Sequence, residues 1–341
     1  MVSPFQPDDE KIAAIRAALP ATGAGIYLDV ATAGPFPTET ARALQEADEW
    51  ELRVGRGGPD RDADVSLRGD EARAVLAALL GASADEIVLT TGTGDALARL
   101  RAAVGPKHPL IVRAHVDSET GAMRETIAAP RLVGALLVLD VSHSAGAVPI
   151  DVSSLDVDGV VLDGHRWLLG PEGTGAIWLG PRTRDLVDRH ELAAASDPLP
   201  RRSLLGLGRS VGWLEMYIGL PWAYARTAAL VARLADALAA IRGVELVTPR
   251  EAAAAICTFR IAGWHCDQVA EELSRRVFAL IAPVAALGAV RASVGCWNRE
   301  DELDRFAAAA AELAAHTPDS LPRRPSLMIL PADSDPSRET Q

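Results

Sequence analysis

Apolar positions along this 341-residue chain follow two different periods. Residues 8–20 and 38–53 repeat them every three to four positions, the spacing of one helix face, and "GIYLDVATAGPFP" between them predicts a short strand ending in a Gly/Pro turn. The polar "VGRGGPDRD" that follows predicts a flexible basic loop, and an Ala/Leu-rich helix is predicted over 66–81, stopped at Gly81. "DEIVLTTGTGDALARLRAAVG" reads as strand, glycine turn and helix, one βα unit. Four later runs, "LIVRAHV", "GALLVLDVS", "GVVLDG" and "GAIWLG", are continuously apolar instead of alternating, the pattern of parallel strands covered on both faces. From Arg209 a helical stretch runs to about Arg242, broken at "GLPW". "VELVTP", "ICTFRI", a helix over 266–277 and "AVRASVG" then predict an α+β unit.

The fold class expected is therefore α/β, a mostly parallel sheet in a large domain with a smaller C-terminal α+β domain. The length is beyond what a single core usually supports, which agrees with two units. The division expected is an N-terminal segment and large domain over 1–205, linking helices and small domain over 206–316, and a mobile Pro/Ser/Asp-rich tail over 317–341.

Charge removes some function classes. A net charge of −12 leaves no clustered Lys/Arg footprint for nucleic acid or an anionic membrane surface, and no apolar run reaches spanning length. Arginine supplies 32 of the 34 basic residues, the lysines being Lys11 and Lys107 alone. Cys257, Cys266 and Cys296 are odd in number and show no CxxC spacing, so neither a disulfide framework nor a metal site is expected; a reducing cytoplasm fits, and the N-terminus carries no export signal.

Candidate chemistry sits at strand ends. "TTGTGDAL" puts a glycine turn between strand and helix, where backbone N–H groups and the helix dipole can hold a phosphate. "VLDVSHSAGAVPIDV" puts Asp140 and His143 at the carboxyl end of a strand, where open parallel sheets bind ligands. "VVLDGHRWLLGPEGTGAIWLG" ends a further buried strand on Asp163-Gly164-His165-Arg166.

Taken in order with "HVDSETGA" and "VRASVGCWNREDELDRF", these segments resemble the class V aminotransferase family, fold-type I pyridoxal 5′-phosphate enzymes that include cysteine desulfurases, selenocysteine lyases and isopenicillin-N epimerase-like proteins. The resemblance implies a homodimer with a fold-type I large domain. It implies that Gly92 and Thr93 cradle the cofactor phosphate with Asp163 nearby, and that Asp140 pairs with the pyridine nitrogen so that the ring acts as an electron sink. It further implies His143 beside the ring, Arg291 gripping a substrate carboxylate, and a small amino acid as ligand.

The same resemblance puts the Schiff-base lysine after His165, where this chain has Arg166. A guanidinium stays protonated and cannot act as the amine nucleophile. Asp163 stands where the family usually has a small hydroxyl residue, and a carboxylate facing a phosphate is repulsive. Two segments are also short: 94–140, where a strand and the residue stacking on the ring are expected, and "RRSLLGLG", which lacks a Glu-x-Gly-Thr element. Three readings stay open: a relative that has lost Schiff-base chemistry and acts as a pseudoenzyme or binding partner; an active pyridoxal-phosphate lyase or transferase; and a pocket redirected to acid–base work by His143, His165 and Asp163.

Overall fold

The structure is a computed structural model that describes residues 8–124, 133–195 and 197–322. Helix α1 (Asp8–Ala18) leads to the two-residue strand β1 (Ile26–Tyr27), then to the helices α2 (Thr38–Val54) and α3 (Pro59–Leu80). The large sheet follows with β2 (Ile87–Thr90), α4 (Thr93–Val104), β3 (Leu110–Ala114), β4 (Leu136–Asp140), β5 (Gly159–Asp163) and β6 (Gly175–Leu179). Short helices α5 (Pro181–Arg184) and α6 (Arg189–Ala194) precede α7 (Arg201–Trp213), a π-helical turn over Leu214–Ile218, and α8 (Leu220–Ala239). The C-terminal part adds β7 (Val244–Leu246), β8 (Ile256–Ile261), α9 (Cys266–Val277), β9 (Ala279–Leu280), β10 (Ala282–Val284), β11 (Ala289–Ser293) and α10 (Glu300–Ala314).

The large sheet has the order β2-β6-β5-β4-β3, with β3, β4 and β5 parallel and β6 antiparallel to both its neighbours. Its apolar runs are continuous because each face meets helices. Leu137, Leu139, Val160, Leu162, Ala176 and Trp178 join the core that includes Leu207 and Val211 of α7. The alternate residues Leu136, Val138, Val161, Ile177 and Leu179 pack with Ala96, Leu100 and Val104 of α4. The smaller sheet, β10-β11-β8-β7, is antiparallel throughout and packs Phe259 edge-on to Phe306 of α10, centroids 6.0 Å apart. Its core also takes in Ile26 and Leu28 from the N-terminal segment, which β1 ties in by pairing parallel with β9.

Three expectations need correction. "GAIWLG" is not a parallel strand: only 164–174 joins β5 to β6, too short for a crossover helix, so the chain turns straight back. The predicted basic loop is shorter than "VGRGGPDRD", because α3 already starts at Pro59, with proline in the first turn and Asp60 and Asp62 meeting the positive end of the helix dipole. The long C-terminal helix begins at Arg201, not Arg209, and turns π-helical before "GLPW". The expected tail lies outside the described residues from position 323 onward.

Candidate functional site

β2, β4 and β5 point the same way and deliver their last residues to one edge of the sheet. There the turn after β2 enters α4 through Gly92, whose φ of 142° is a region that disfavours side chains. A Cβ on Gly175 would lie 2.7 Å from the Gly92 Cα, so the bare backbone of β6 lets this turn sit against the sheet. The loop after β5 is equally fixed. Gly164 donates to the Thr174 carbonyl at 2.8 Å, Gly170 returns to the Gly164 carbonyl at 2.8 Å, and Leu169 adopts φ 56°.

That frame aims Asp163 at the start of α4. Its Oδ1 accepts the Thr93 backbone N–H at 2.9 Å and the Thr93 hydroxyl at 3.0 Å, while Oδ2 lies 3.3 Å from Nε of Arg166. Burial alone would raise the Asp163 carboxyl; the Thr93 amide and hydroxyl and the Arg166 charge outweigh it and hold it below the usual carboxylate range. Arg166 also donates through Nη1 to the Ala31 carbonyl. Asp140 ends β4 with Oδ1 accepting the Ser142 amide at 2.9 Å, and burial pushes its carboxyl up. Ser142 in turn meets the Thr93 hydroxyl at 2.7 Å.

His143 follows, its ring edge-on to Trp167 with centroids 6.3 Å apart and its Nδ1 buried without a hydrogen-bond partner. Burial first, then the Arg166 and Arg291 charges, push its pKa down to about 3. His143 is thus neutral in the folded protein, while the unfolded chain takes up a proton near pH 6.5. Stability should therefore fall as pH drops from about 6.5 toward 3 and return above that window. Thermal melts at pH 7 and pH 5 should show a smaller acid loss for His143→Gln than for the wild type.

His165 precedes Arg166 in the same loop, its pKa lowered by burial and then by Arg166, while its carbonyl accepts the Gly34 amide at 2.8 Å. Arg291, on β11, reaches across from the smaller sheet. Nη1 donates to the Ser118 carbonyl at 3.0 Å, and Nη2 to the Thr32 hydroxyl at 2.7 Å and to Asp29 at 3.4 Å. Arg166 and Arg291 therefore both fasten the turn after β1. Sequence reasoning predicted that turn without giving it a role in the site, and it did not single out His115 at the end of β3, whose Nδ1 lies 3.0 Å from the Ser144 hydroxyl. "HVDSETGA" contained His115, but its partner 29 residues away gives no local signal. Away from the cleft, His265, Cys266 and Asp267 bring ligand-type atoms within 4.8 Å of one another; they open α9, whose positive end repels a cation.

The family model for aminotransferase class-V matches residues 96–194 and 199–306, which include Asp140, His143, Asp163, Arg166 and Arg291. The chain belongs to that family. A probable cysteine desulfurase of Methanothermobacter thermautotrophicus is 22% identical over 88% of this chain and 97% of its own length. The aligned stretch, 392 residues, exceeds the 341 of this family member, so the relative carries segments absent here. Cysteine desulfurase IscS of Shewanella oneidensis is 32% identical over 123 residues, 33% of this chain and 30% of that protein. Among solved structures, the apo cysteine desulfurase of Thermococcus onnurineus superposes with a TM-score of 0.76 at 20% identity, covering 92% of this chain and all of that one. A lysine-to-alanine variant of C-DES with glycine covalently linked to its PLP cofactor gives 0.78 at 14%, covering 87% and 98%. The fold is that of the fold-type I enzymes, and this class V member keeps it with a large sheet of five strands among the described residues.

Proposed function

We propose that this class V protein has lost pyridoxal-phosphate Schiff-base chemistry and acts as a pseudoenzyme or binding partner. One observation carries the reading: at the position the family resemblance gives to the lysine, Arg166 is engaged with Asp163 and the Ala31 carbonyl. Neither lysine can stand in. Lys107 is exposed before β3, at the opposite end of a five-residue strand that rises about 3.3 Å per residue. Lys11 is buried under Trp222, with Nζ 4.1 Å from the ring centroid.

The residues present do not fit the family's cofactor. The Thr93 amide and hydroxyl, which would meet its phosphate, already hold the Asp163 carboxylate, and a second anion there would face that charge in a half-buried site. Asp140 and His143 persist as the remainder of the family arrangement. A reducing, cytoplasmic setting belongs to the same reading and is supported by three cysteines that are all free and buried. Among the described residues no helix is long and apolar enough to cross a membrane.

Incubation with pyridoxal phosphate, borohydride reduction and peptide mapping test the proposal. The expected outcome is no stoichiometric pyridoxyl adduct. An adduct on Lys107 or Lys11 would restore the reading as an active lyase or transferase acting on a small amino acid.

A further inference from the structure

A groove of about 590 Å³ lies between α2, α3 and α7, a size at which small-molecule sites are common. Val75, Leu205 and Met216 line its wall together with Trp213 and Tyr217, whose rings stack at 5.4 Å. Its floor is opened by Gly208 and Gly212, one turn apart inside α7. Glycine is among the poorest helix formers, and packing does not call for it at either place. A Cβ on Gly208 would meet nothing nearer than the Ala72 backbone at 3.9 Å, and one on Gly212 nothing nearer than the Met216 Cε at 3.7 Å, both ordinary contacts. Gly206 in the same helix differs, since a Cβ there would run into Pro171 at 2.5 Å. What Gly208 and Gly212 supply is the empty volume itself.

The charged residues of the lining decide what fits. Arg68 is already satisfied, donating to Glu71 at 2.7 and 2.9 Å and to Asp64 at 3.2 Å. The contact between Arg209 and Glu39 is looser: their nearest atoms stand 3.9 Å apart, too far for a hydrogen bond, and both side chains are half exposed. An ion pair of this kind contributes little, so opening it costs little. Arg209 offers a planar fork to a carboxylate and Glu39 offers its oxygens to an ammonium, while the two together carry no net charge. The complementary ligand has one charge of each sign close together and an apolar body.

We propose that the groove binds a zwitterionic α-amino acid with a large apolar side chain. Its carboxylate meets Arg209, its ammonium meets Glu39, and its side chain packs against Trp213, Tyr217 and Met216. Met216, 83% exposed on the π-helical turn, has the unbranched, polarizable side chain that adapts to such a group. None of the groove's lining residues belongs to the cleft that holds Asp163 and Arg166, so the failure of this inference and that of the proposed function are read separately.

Calorimetric titration of the full chain with L-phenylalanine should show saturable binding tighter than about 1 mM. Hydrocinnamate, which lacks the ammonium, and phenethylamine, which lacks the carboxylate, should each bind about tenfold more weakly or worse, as should L-phenylalanine to Arg209→Gln. Gly212→Leu fills the groove with a better helix former; it should keep the wild-type circular dichroism, melt no lower and abolish the heat of binding. Arg291→Gln, in the cleft, should bind as the wild type does. No saturable heat from the wild type, the result if a second copy covers the groove, would overturn the inference. Equal binding of either truncated ligand, undiminished binding by Arg209→Gln or Gly212→Leu, or a loss confined to Arg291→Gln would do the same.

Discussion

Arg166→Lys alone is expected to stay colourless with pyridoxal phosphate, whereas Asp163→Ser/Arg166→Lys should take up the cofactor and absorb in the visible. The new amine would lie beside the Asp163 carboxylate, which favours its protonated, unreactive form. The Thr93 amide and hydroxyl would remain occupied by the same carboxylate. Serine at 163 removes both obstacles at once, so the double variant should bind at least tenfold more tightly than the single one, where each tenfold corresponds to about 1.4 kcal/mol. The two substitutions are coupled because the charges of residues 163 and 166 now satisfy each other. Tight binding and turnover of cysteine or alanine by Arg166→Lys alone would sink both this prediction and the pseudoenzyme reading.

Phe259→Ala should produce the largest stability loss, about 3–5 kcal/mol, the usual range for a fully buried phenylalanine. Its ring is fully buried on the second strand of the smaller sheet and meets Phe306 edge-on, so truncation leaves a void that β8 and α10 cannot both close. Leu28 belongs to the same core, and the turn that Arg166 and Arg291 clasp starts at the next residue. Loosening this core should therefore also raise hydrogen exchange over 28–34. Urea unfolding and exchange mass spectrometry check the two effects; a loss below about 1 kcal/mol would mean that the smaller core repacks around the hole.

Much of the large sheet was legible because its strands are buried on both faces, which writes an uninterrupted apolar run into the chain. Direction is another matter. The run "GAIWLG" is the same whether the strand runs with or against its neighbours, and the turn over 164–174 decides it. The opening of α3 was hidden because Gly, Pro and Asp are poor helix formers in isolation; here Arg201 reaches from α7 to Asp64 and stacks on Trp50 at 4.3 Å, tertiary contacts that outweigh local preference. In the cleft, Asp140, His143, Asp163 and Arg166 were visible as an ordered series at strand ends. The destination of Arg166 was only partly so. Asp163 is three residues away, a spacing that can be read, but the Ala31 carbonyl is 135 residues away. His115 was missed for the same reason, and Asp29 and Thr32 could be connected with Arg291 only through the folded chain.

The pairing of β1 with β9 sets an order of events during synthesis. Ile26 and Ala279 face each other across about three-quarters of the chain's length, so the strand made first waits for a partner made near the end. Translation at roughly 5–20 residues per second makes that wait some ten seconds or longer. Through that interval Ile26 and Leu28, both fully buried in the finished protein, have no smaller core to enter, while the large sheet can already assemble behind them. The nascent chain therefore carries an adhesive apolar segment near its leading end until its last hundred residues emerge, and a ribosome stalled between β6 and β9 should display a protein whose large sheet resists protease while the segment around Ile26 and Leu28 remains open to cleavage.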